Sequence, residues 1–221
     1  VNEIAEIKSC NQSLYLECRK RQDLYMYLGR TPNGPSAKFH VVNVHTMDEL
    51  KLTGNCMLGS RPLLNFDSKF DSAPHWQLMR RLLGDCFGTP LGHPKSKPFV
   101  DRIMSFMVVK NNIWVRNFQI VDKTDSKESS ASAKVESHLV EIGPRMVLIP
   151  IRIFSGSLGG VTLYQNAAYV SPNTERAALL KRKANAYEAK QQRMRVGKER
   201  KEDYVTEYDE LEGLQMFKGE D

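Results

Sequence analysis

The segment G-R-T-P-N-G-P-S-A-K-F-H-V-V-N, residues 29–43, decides the fold predicted for this chain. Pro32, Gly34 and Pro35 do not fit a helix interior or a central strand, so they must form an irregular turn. Apolar residues then alternate with polar ones, which predicts a strand that is at least half buried and ends near His45. The apolar face of this strand comprises Ala37, Phe39, Val41 and Val44. A rigid turn therefore delivers basic side chains to one edge of a sheet.

A related unit, Gly143-Pro144-Arg145, again opens an apolar run, and residues 139–154 carry the second strand of this kind. The two Gly-Pro pairs are 109 positions apart (143 − 34). The polar segment 122–137 is rich in Ser, Lys and acidic residues, and it predicts a solvated insert that explains this spacing.

The chain also predicts two hairpins that stand about one hundred positions apart. Strands at residues 2–9 and 13–19 form the first hairpin, and residues 103–121 form the second, which turns at Asn111-Asn112. Apolar residues recur in the same order in both, and the same order continues to Ser72-Ala73-Pro74 before one helix and Ser171-Pro172 before the other. A duplicated fold with two pseudo-symmetric halves is the prediction.

Several further elements follow from local signals. Residues 22–28 are short and aromatic and predict one or two helical turns. Thr46 and Glu49 form a capping box for a short helix, and residues 63–66 form a short strand. A helix from Asp71 or Ser72 ends at Phe87. Its core-facing stripe comprises Trp76, Met79, Leu82, Leu83 and Phe87.

The C-terminal segment predicts a long helix that begins at Asn173 and continues to about Arg195 or beyond. Ser171 supplies the N-cap and Pro172 the first helical position. Residues 173–201 contain ten basic and three acidic residues, a net charge of +7, whereas residues 202–221 contain eight acidic residues and one Lys, a net charge of −7. We expect a basic arm that lies peripheral to the body and an acidic tail.

The composition is that of an ordinary globular protein of 221 residues with a net charge of +6. No apolar run approaches the roughly 20 residues of a membrane-spanning helix. The four cysteines form no metal or disulfide framework, and we interpret them as buried small apolar residues of a reducing compartment. Because the chain begins at Val1 within a strand-like pattern, we expect the natural protein to extend further N-terminally.

No catalytic constellation is visible. The spacing of Gly29 and Gly34 is that of half a phosphate-binding loop, but Pro35 stands where its Lys should be and has no N–H to offer. The segment 155–159 lacks the first Gly of a nucleophile elbow, so a small-residue turn is the better interpretation. The histidines have no metal-ligand spacing, and no acidic pair is informatively placed. We expect no metal and no cofactor.

The positive signal is a set of basic residues in or beside Pro- and Gly-rich loops, where a phosphate backbone could be bound with little loss of entropy. These candidate nucleic-acid-binding residues are Arg30, Lys38, Arg61, Lys95, Lys97 and Arg145. Tyr25, Tyr27, Phe39 and Trp114 could stack on unpaired bases. For Phe39 and Trp114, a place in the core is the favoured interpretation, and for the basic set the alternative is a solvated rim.

Seven motifs stand in order along most of residues 1–173. They are G-P-S-A-K-F-H-V at 34–41, L-T-G-N-C at 52–56, G-S-R-P-L-L-N-F-D at 59–67, H-P-K-S-K-P-F at 93–99, I-W-V-R-N-F-Q-I at 113–120, L-V-E-I-G-P-R at 139–145 and S-L-G-G-V-T-L-Y-Q-N-A-A-Y-V-S-P-N at 157–173. Together they closely resemble the Brix-domain family. The family's Gly-Pro-basic signature falls on Gly34, Pro35 and Lys38 and again on Gly143, Pro144 and Arg145.

This resemblance implies an α/β fold of two pseudo-symmetric halves, each like a class IIa anticodon-binding domain. The halves are expected at residues 1–87 and 99–172, joined by a crossover at 88–98 and followed by the basic arm 173–201 and the acidic tail 202–221. The first half lacks the strand and helix that open it in the family.

The resemblance also implies a non-enzymatic nucleolar factor that binds ribosomal RNA, other assembly factors and ribosomal proteins while the large ribosomal subunit matures. The alternatives are a protein-only scaffold in the pre-ribosome and an enzyme with an unrecognised site. The acidic tail is expected to dock on a basic protein surface rather than only screen the basic helix. Its anchors would be Tyr204, Tyr208, Leu211, Leu214 and Phe217.

Overall fold

A computed structural model describes residues 1–90, 92, 96–123 and 136–216 of the chain. The chain forms two compact units, Val1–Tyr169 and Val170–Asp221. The second unit consists of one long helix in its described part, whereas the first contains all the described strands. The predicted α/β class is confirmed.

The described residues of the first unit form three α-helices and nine strands. Its helices are α1 (Asn2–Ile7), α2 (Met47–Leu50) and α3 (Pro74–Phe87), with a 3-10 turn at Ser68–Asp71 before α3. Its strands are β1 (Gln12–Arg19), β2 (Asp23–Arg30), β3 (Ser36–His45), β4 (Pro62–Phe66), β5 (Arg102–Val109), β6 (Asn112–Lys123), β7 (Glu136–Glu141), β8 (Arg145–Phe154) and β9 (Thr162–Gln165).

The strands of the described residues form one sheet in the order β1-β2-β3-β8-β6-β5-β4, with β7 beside β6 and β9 beside β8. Strands β1, β2 and β3 form one antiparallel meander, and β5, β6 and β8 form another. The two meanders meet where β3 pairs antiparallel with β8. Strand β4 runs parallel to β5 at the edge.

Helix α3 supplies the core of the first unit. Trp76, Met79, Leu82 and Leu83 are all buried, as their helical spacing predicts, whereas Phe87 is only partly buried. They pack with residues from the inner face of the sheet, including Phe39 and Phe106. Each such side chain contributes about 1.5–3 kcal/mol when it is fully buried.

The predicted strand at residues 2–9 is wrong, because this segment is helix α1. The helix ends in a Schellman-type motif: Ser9 has φ +54°, and Cys10 N–H donates to the Ala5 carbonyl at 2.8 Å. Only Ala5 of the helix is buried, while Ile4 and Ile7 are exposed. Ile4 and Ile7 stand three positions apart, which is helical spacing, and the helix buries only Ala5 between them.

The predicted helical turns at residues 22–28 are also wrong, since this segment lies in β2. Leu24, Met26 and Leu28 belong to the inner face and its core, while Tyr25 and Tyr27 alternate with them. The connection to β1 places Lys20 and Arg21 at φ +51° and +55°. Neither residue is a typical turn signal, so the sequence did not reveal this hairpin.

These two corrections change the register of the duplication. The hairpin predicted at residues 2–19 is absent, and the first hairpin of the structure is β1–β2, which begins 90 positions before β5–β6 (102 − 12) and not one hundred; the duplication itself stays a prediction. Both Gly-Pro turns precede the strand that closes a meander. The division into halves at residues 88–98 and the likeness to anticodon-binding domains stay predictions.

Other local predictions are confirmed with small shifts. Strand β3 ends at His45, but Val44 is exposed, because Asn43 at φ +51° accompanies a bulge that changes the alternation. The Thr46 hydroxyl accepts from the Glu49 N–H at 3.4 Å and caps α2. The second hairpin turns at Lys110 and Asn111, one residue earlier than predicted, with both in the left-handed region.

The cysteine interpretation needs correction. Cys10 and Cys18 are exposed, and Cys56 and Cys86 are partly buried as free thiols. Cys18 lies near the end of the edge strand β1, where five of eight residues are exposed, so its position in the sheet does not bury it.

The second unit contains helix α4 (Pro172–Met216). It begins as predicted: the Ser171 hydroxyl accepts from the Thr174 N–H at 3.4 Å, and Pro172 occupies the first position. The helix continues well past Arg195 because Ala, Lys, Arg, Glu and Gln dominate the segment, and all are strong helix formers. Among the described residues, no helix has both the length and the apolar character needed to cross a membrane.

Candidate nucleic-acid interface

The sheet has an inner face that packs on α3 and an outer face that does not. Cross-strand pairing assigns the residues to each face. The core residues Leu28, Ala37 and Ile153 form one continuous row across β2, β3 and β8. Their neighbours along the strands therefore point away from α3, because successive side chains alternate between faces. We call this the outer face.

One row of the outer face combines aromatic and basic residues. Tyr15 pairs with Tyr27, Tyr27 with Lys38, and Lys38 with Arg152, so the row crosses β1, β2, β3 and β8. The Lys38 Nζ lies 4.9 Å from the Tyr27 ring centroid and 5.0 Å from that of Tyr25. Tyr15 keeps 42% of its surface exposed, and Arg152 is exposed as well.

The position of Lys38 has an electrostatic consequence. Burial against the tyrosines lowers the pKa of its ammonium group, Arg19 lowers it further, and Glu17 opposes both. The side chain is thus a partly desolvated cation held on two aromatic faces, where cation–π attraction is worth about 0.5–1 kcal/mol per exposed pair.

Glu17 organises the next row. Its carboxylate accepts from Arg19 Nε at 2.8 Å and from the Tyr27 hydroxyl at 3.1 Å, and the hydrogen bond from Arg19 holds the Glu17 pKa below its usual value. Burial raises the pKa of the Tyr27 phenol. Tyr25 stacks on His40 with centroids 5.2 Å apart, and the Arg19 guanidinium lies 5.0 Å from the Tyr25 ring.

A second aromatic and basic group lies on the part of the outer face formed by β6 and β8. Trp114 pairs with Val147, and the Arg116 guanidinium lies 5.8 Å from the Trp114 ring. Arg116 and Arg145 both contact the Glu141 carboxylate, with N–O distances of 3.6 and 3.1 Å. A third part of the chain, β3, reaches this group through His45, which pairs with Arg145.

A cavity of about 190 Å³ opens within this second group. It lies where β3 of one meander meets β8 and β6 of the other. Its lining comprises Asn43, His45, Trp114, Val115, Arg116, Arg145, Met146 and Val147. The sequence does not reveal this site, because residues 43–45, 114–116 and 145–147 are far apart in the chain and approach one another only in the sheet.

The six predicted RNA-binding residues lie at different places in the structure. Lys38 lies in the aromatic row, and Arg30 is exposed at the end of β2, where its N–H donates to the Pro35 carbonyl in the first Gly-Pro turn. Arg145 lines the cavity and is paired with Glu141.

Arg61 and Lys97 lie together at a third position, near the start of β4. The Arg61 N–H donates to the Phe99 carbonyl, and the Lys97 N–H donates to the Gly59 carbonyl. The Arg61 guanidinium donates to the Ser96 hydroxyl at 3.3 Å, and Lys97 is exposed. Lys95 lies outside the described residues.

Of the two aromatic residues predicted to lie in the core, one does and one does not. Phe39 is fully buried in the core, as favoured. Trp114 is not a core residue: it is partly exposed on the outer face and lines the cavity, so the favoured interpretation is wrong for it. Its position follows from alternation, because Ile113 and Val115 occupy the core on either side.

Sequence reasoning missed Arg19, Arg116 and Arg152. None lies in a Pro- or Gly-rich loop, which was the criterion applied. The signal that could have found them is the strand alternation itself, since each stands between residues of the opposite face. Arg152, for example, lies between the buried Ile151 and Ile153.

The predicted tail anchors lie in or beyond the last part of α4. Tyr204 is 68% exposed. Tyr208, Leu211 and Leu214 fall within the helix, and Phe217 lies outside the described residues.

Comparison with known proteins identifies the family. The Brix domain model matches residues 1–152, more than two thirds of the chain. The chain belongs to the Brix-domain family. The Brix match includes β1 through β7 and β8 as far as Arg152, so it covers both rows of the outer face described above and the cavity.

Individual Brix-domain relatives agree. The ribosome biogenesis protein BRX1 homolog of Homo sapiens is 50% identical over 206 residues, which cover 93% of this chain and 55% of that protein. The ribosome biogenesis protein BRX1 of Saccharomyces cerevisiae is 45% identical over 218 residues, covering 99% of this chain and 75% of that protein. The chain thus spans about half the length of the vertebrate relatives that it matches.

Proposed function

We propose that this chain acts within a ribosome assembly factor that binds ribosomal RNA during maturation of the large ribosomal subunit. The relatives are named ribosome biogenesis proteins, and their matches cover 93% and 99% of this chain. The proposal includes a nucleolar location and a role that requires no catalysis.

The observation that carries the proposal is the composition of the outer face. Basic groups lie on aromatic rings in two places: Lys38 on Tyr25 and Tyr27, and Arg116 on Trp114. Cations neutralise phosphates, and aromatic rings stack on unpaired bases, so this pairing is typical of sheet surfaces that bind single-stranded RNA.

The charge of this face favours a polyanion. Arg19, Lys38, Arg116, Arg145 and Arg152 carry five positive charges here, against the carboxylates of Glu17 and Glu141. Ion pairs with these carboxylates hold three of the arginines in place, which reduces the entropy lost when RNA orders them. The two loop residues Arg61 and Lys97 would extend the contact beyond the outer face.

We further propose that the acidic end of the chain docks on other pre-ribosomal proteins. The exposed Tyr204 supports this, and the sequence places Tyr208, Leu211 and Leu214 among acidic residues, a pattern that fits docking on a basic surface. Deleting residues 204–221 tests it: loss of partner pull-down supports docking. Unchanged pull-down with raised RNA affinity would show that this segment only screens the basic helix.

A salt titration tests RNA binding by the outer face. The chain is titrated with precursor RNA of the large subunit at several salt concentrations, and the slope of log K against log[salt] counts the neutralised phosphates, at about 0.7–0.9 per contact. The variant Lys38→Gln/Arg116→Gln/Arg152→Gln should reduce the slope by about 2–3. Arg81→Gln, an exposed arginine on α3, is the matched control and should leave the slope unchanged.

The alternatives predict other results. RNA binding that ignores salt, or an unchanged slope in the triple variant, would contradict phosphate contact by this face. Absence of any preferred RNA crosslink in assembly particles would favour a protein-only scaffold.

A further inference from the structure

We propose that the cavity between β3, β6 and β8 binds the base of a single unpaired nucleotide, with its phosphate held by Arg116 and Arg145. The inference rests on the proposed RNA-binding function and specifies one subsite within it. The observation behind the inference is that an aromatic ring and two guanidinium groups line one small cavity.

The size of the cavity restricts the ligand. Its volume is about 190 Å³, whereas pockets for drug-sized ligands occupy about 300–1,000 Å³. One ring system fits such a space, but a base pair does not. Because bases in a duplex are stacked on both faces, only an unpaired base can enter a cavity in this way.

Trp114 provides the stacking surface. It lies on the outer face with its neighbours Ile113 and Val115 fixed in the core, so its backbone is held firmly. Val147, directly across the strand pair, and Met146 form apolar walls. Stacking needs no particular hydrogen-bonding edge, so this wall accepts any base, and Asn43 supplies polar atoms at the rim.

Arg116 and Arg145 provide the anion contact. Arg145 is held to Glu141 by an ion pair at 3.1 Å and a hydrogen bond at 3.2 Å. Arg116 is more loosely paired, at 3.6 Å from the same carboxylate, and it already lies against the Trp114 ring. Two guanidinium groups share one carboxylate, so the group keeps a net charge of +1 for a phosphate.

The first experiment uses fluorescence of the full chain. The chain has two tryptophans, and Trp76 is a buried residue of α3, so Trp76→Phe leaves Trp114 as the single reporter. Titration with adenosine 5′-monophosphate and with a single-stranded oligoribonucleotide should quench Trp114, while the same oligoribonucleotide annealed into a duplex should not. Quenching by the duplex equal to that by the single strand would overturn the inference.

The second experiment keeps Trp76 and measures oligoribonucleotide affinity by anisotropy, so it does not depend on the folding of the reporter variant. Trp114→Leu should weaken single-strand binding about 5- to 150-fold, the range of one lost base stack, and Trp114→Phe should retain most of the affinity. Leu63→Ala is the control, because Leu63 is exposed on the same face and does not line the cavity.

The outcomes separate this inference from the function on which it rests. Suppose that Trp114→Leu weakens the binding of single strands and of duplexes equally, or that it weakens the binding of neither. In both cases the base site is wrong, while RNA binding by the outer face stands. If the unmodified chain binds no RNA, the proposed function fails and the base site fails with it.

Discussion

The two Gly-Pro turns have the same backbone and different surroundings. Gly34 and Gly143 have φ of +86° and +85°, and each is followed by a cis proline. A Cβ on Gly34 would lie 2.4 Å from the Gly156 carbonyl carbon, whereas a Cβ on Gly143 would lie 3.4 Å from the Leu50 side chain. The first turn is packed tightly on the 155–160 turn, and the second has ordinary contacts.

The residue after each proline also differs. Ser36 is fully buried, and its hydroxyl donates to the Gly156 carbonyl at 2.7 Å and accepts from the Leu158 N–H at 2.9 Å. Arg145, the residue in the same place after Pro144, pairs with Glu141 at the cavity. The Gly-Pro motif therefore specifies a turn, while the surrounding residues decide whether that turn stabilises the fold or presents a charged group.

The largest expected effect is that of Gly34→Ala compared with Gly143→Ala. Both place a Cβ at positive φ, which costs about 1–2 kcal/mol, but only Gly34→Ala adds a clash with backbone, for about 1–3 kcal/mol more. Urea denaturation should show a loss of about 2–5 kcal/mol for Gly34→Ala. Equal losses in the two variants would contradict the difference in packing.

Ser36→Ala should have the next largest effect. It leaves the partly buried Gly156 carbonyl and Leu158 N–H without their partner, which costs about 1–3 kcal/mol. The matched variant Ser157→Ala removes a hydroxyl that donates to the partly buried Asn2 at the neighbouring turn and should cost less. The free energies of unfolding, measured in urea, check the order, and a smaller loss for Ser36→Ala would refute it.

Arg145→Gln should affect stability less, by about 1 kcal/mol or below, because its ion pair with Glu141 is partly exposed to solvent. The affinity of the Arg145→Gln variant for RNA should fall by more than its stability does, since one phosphate contact is lost. Stability and RNA affinity together distinguish the second turn from the first. In the first turn, Ser36→Ala should change stability with little change in RNA affinity. A large stability loss without an affinity change in Arg145→Gln would remove this contrast.

The smallest effect concerns pH and Glu17, which supports the strand pair around Lys38. Its folded pKa is lowered from 4.5, so its contribution is present above that pH and is lost as the pH falls through the lower folded value. Glu17→Gln should therefore destabilise the chain at pH 7, by less than about 1 kcal/mol, and the difference should shrink below pH 4.5. Thermal unfolding across this range measures it; a difference independent of pH would be inconsistent with the ion pair.

Local signals predicted much of the fold. The stripe of α3, the strand β3, the hairpin β5–β6 and the Ser171 cap each depend on residues within a few positions of one another. The failures were also local: Ile4 and Ile7 of α1 have a helical spacing that the strand prediction overlooked, and Lys20 and Arg21 turn the chain without Gly or Asn. At the second of these places, the pairing of β1 with β2 overrode weak turn propensities.

The amino-acid order alone predicts the α/β class, the family resemblance and a basic RNA-binding character. It does not predict which basic residues lie together. Tyr15, Tyr27, Lys38 and Arg152 form a row, and Asn43, Trp114 and Arg145 line one cavity, only because strands far apart in sequence pair in one register. Turns and periodicity act over a few residues, whereas a shared face depends on hydrogen bonding between distant strands, so the outer face exists only in the folded sheet.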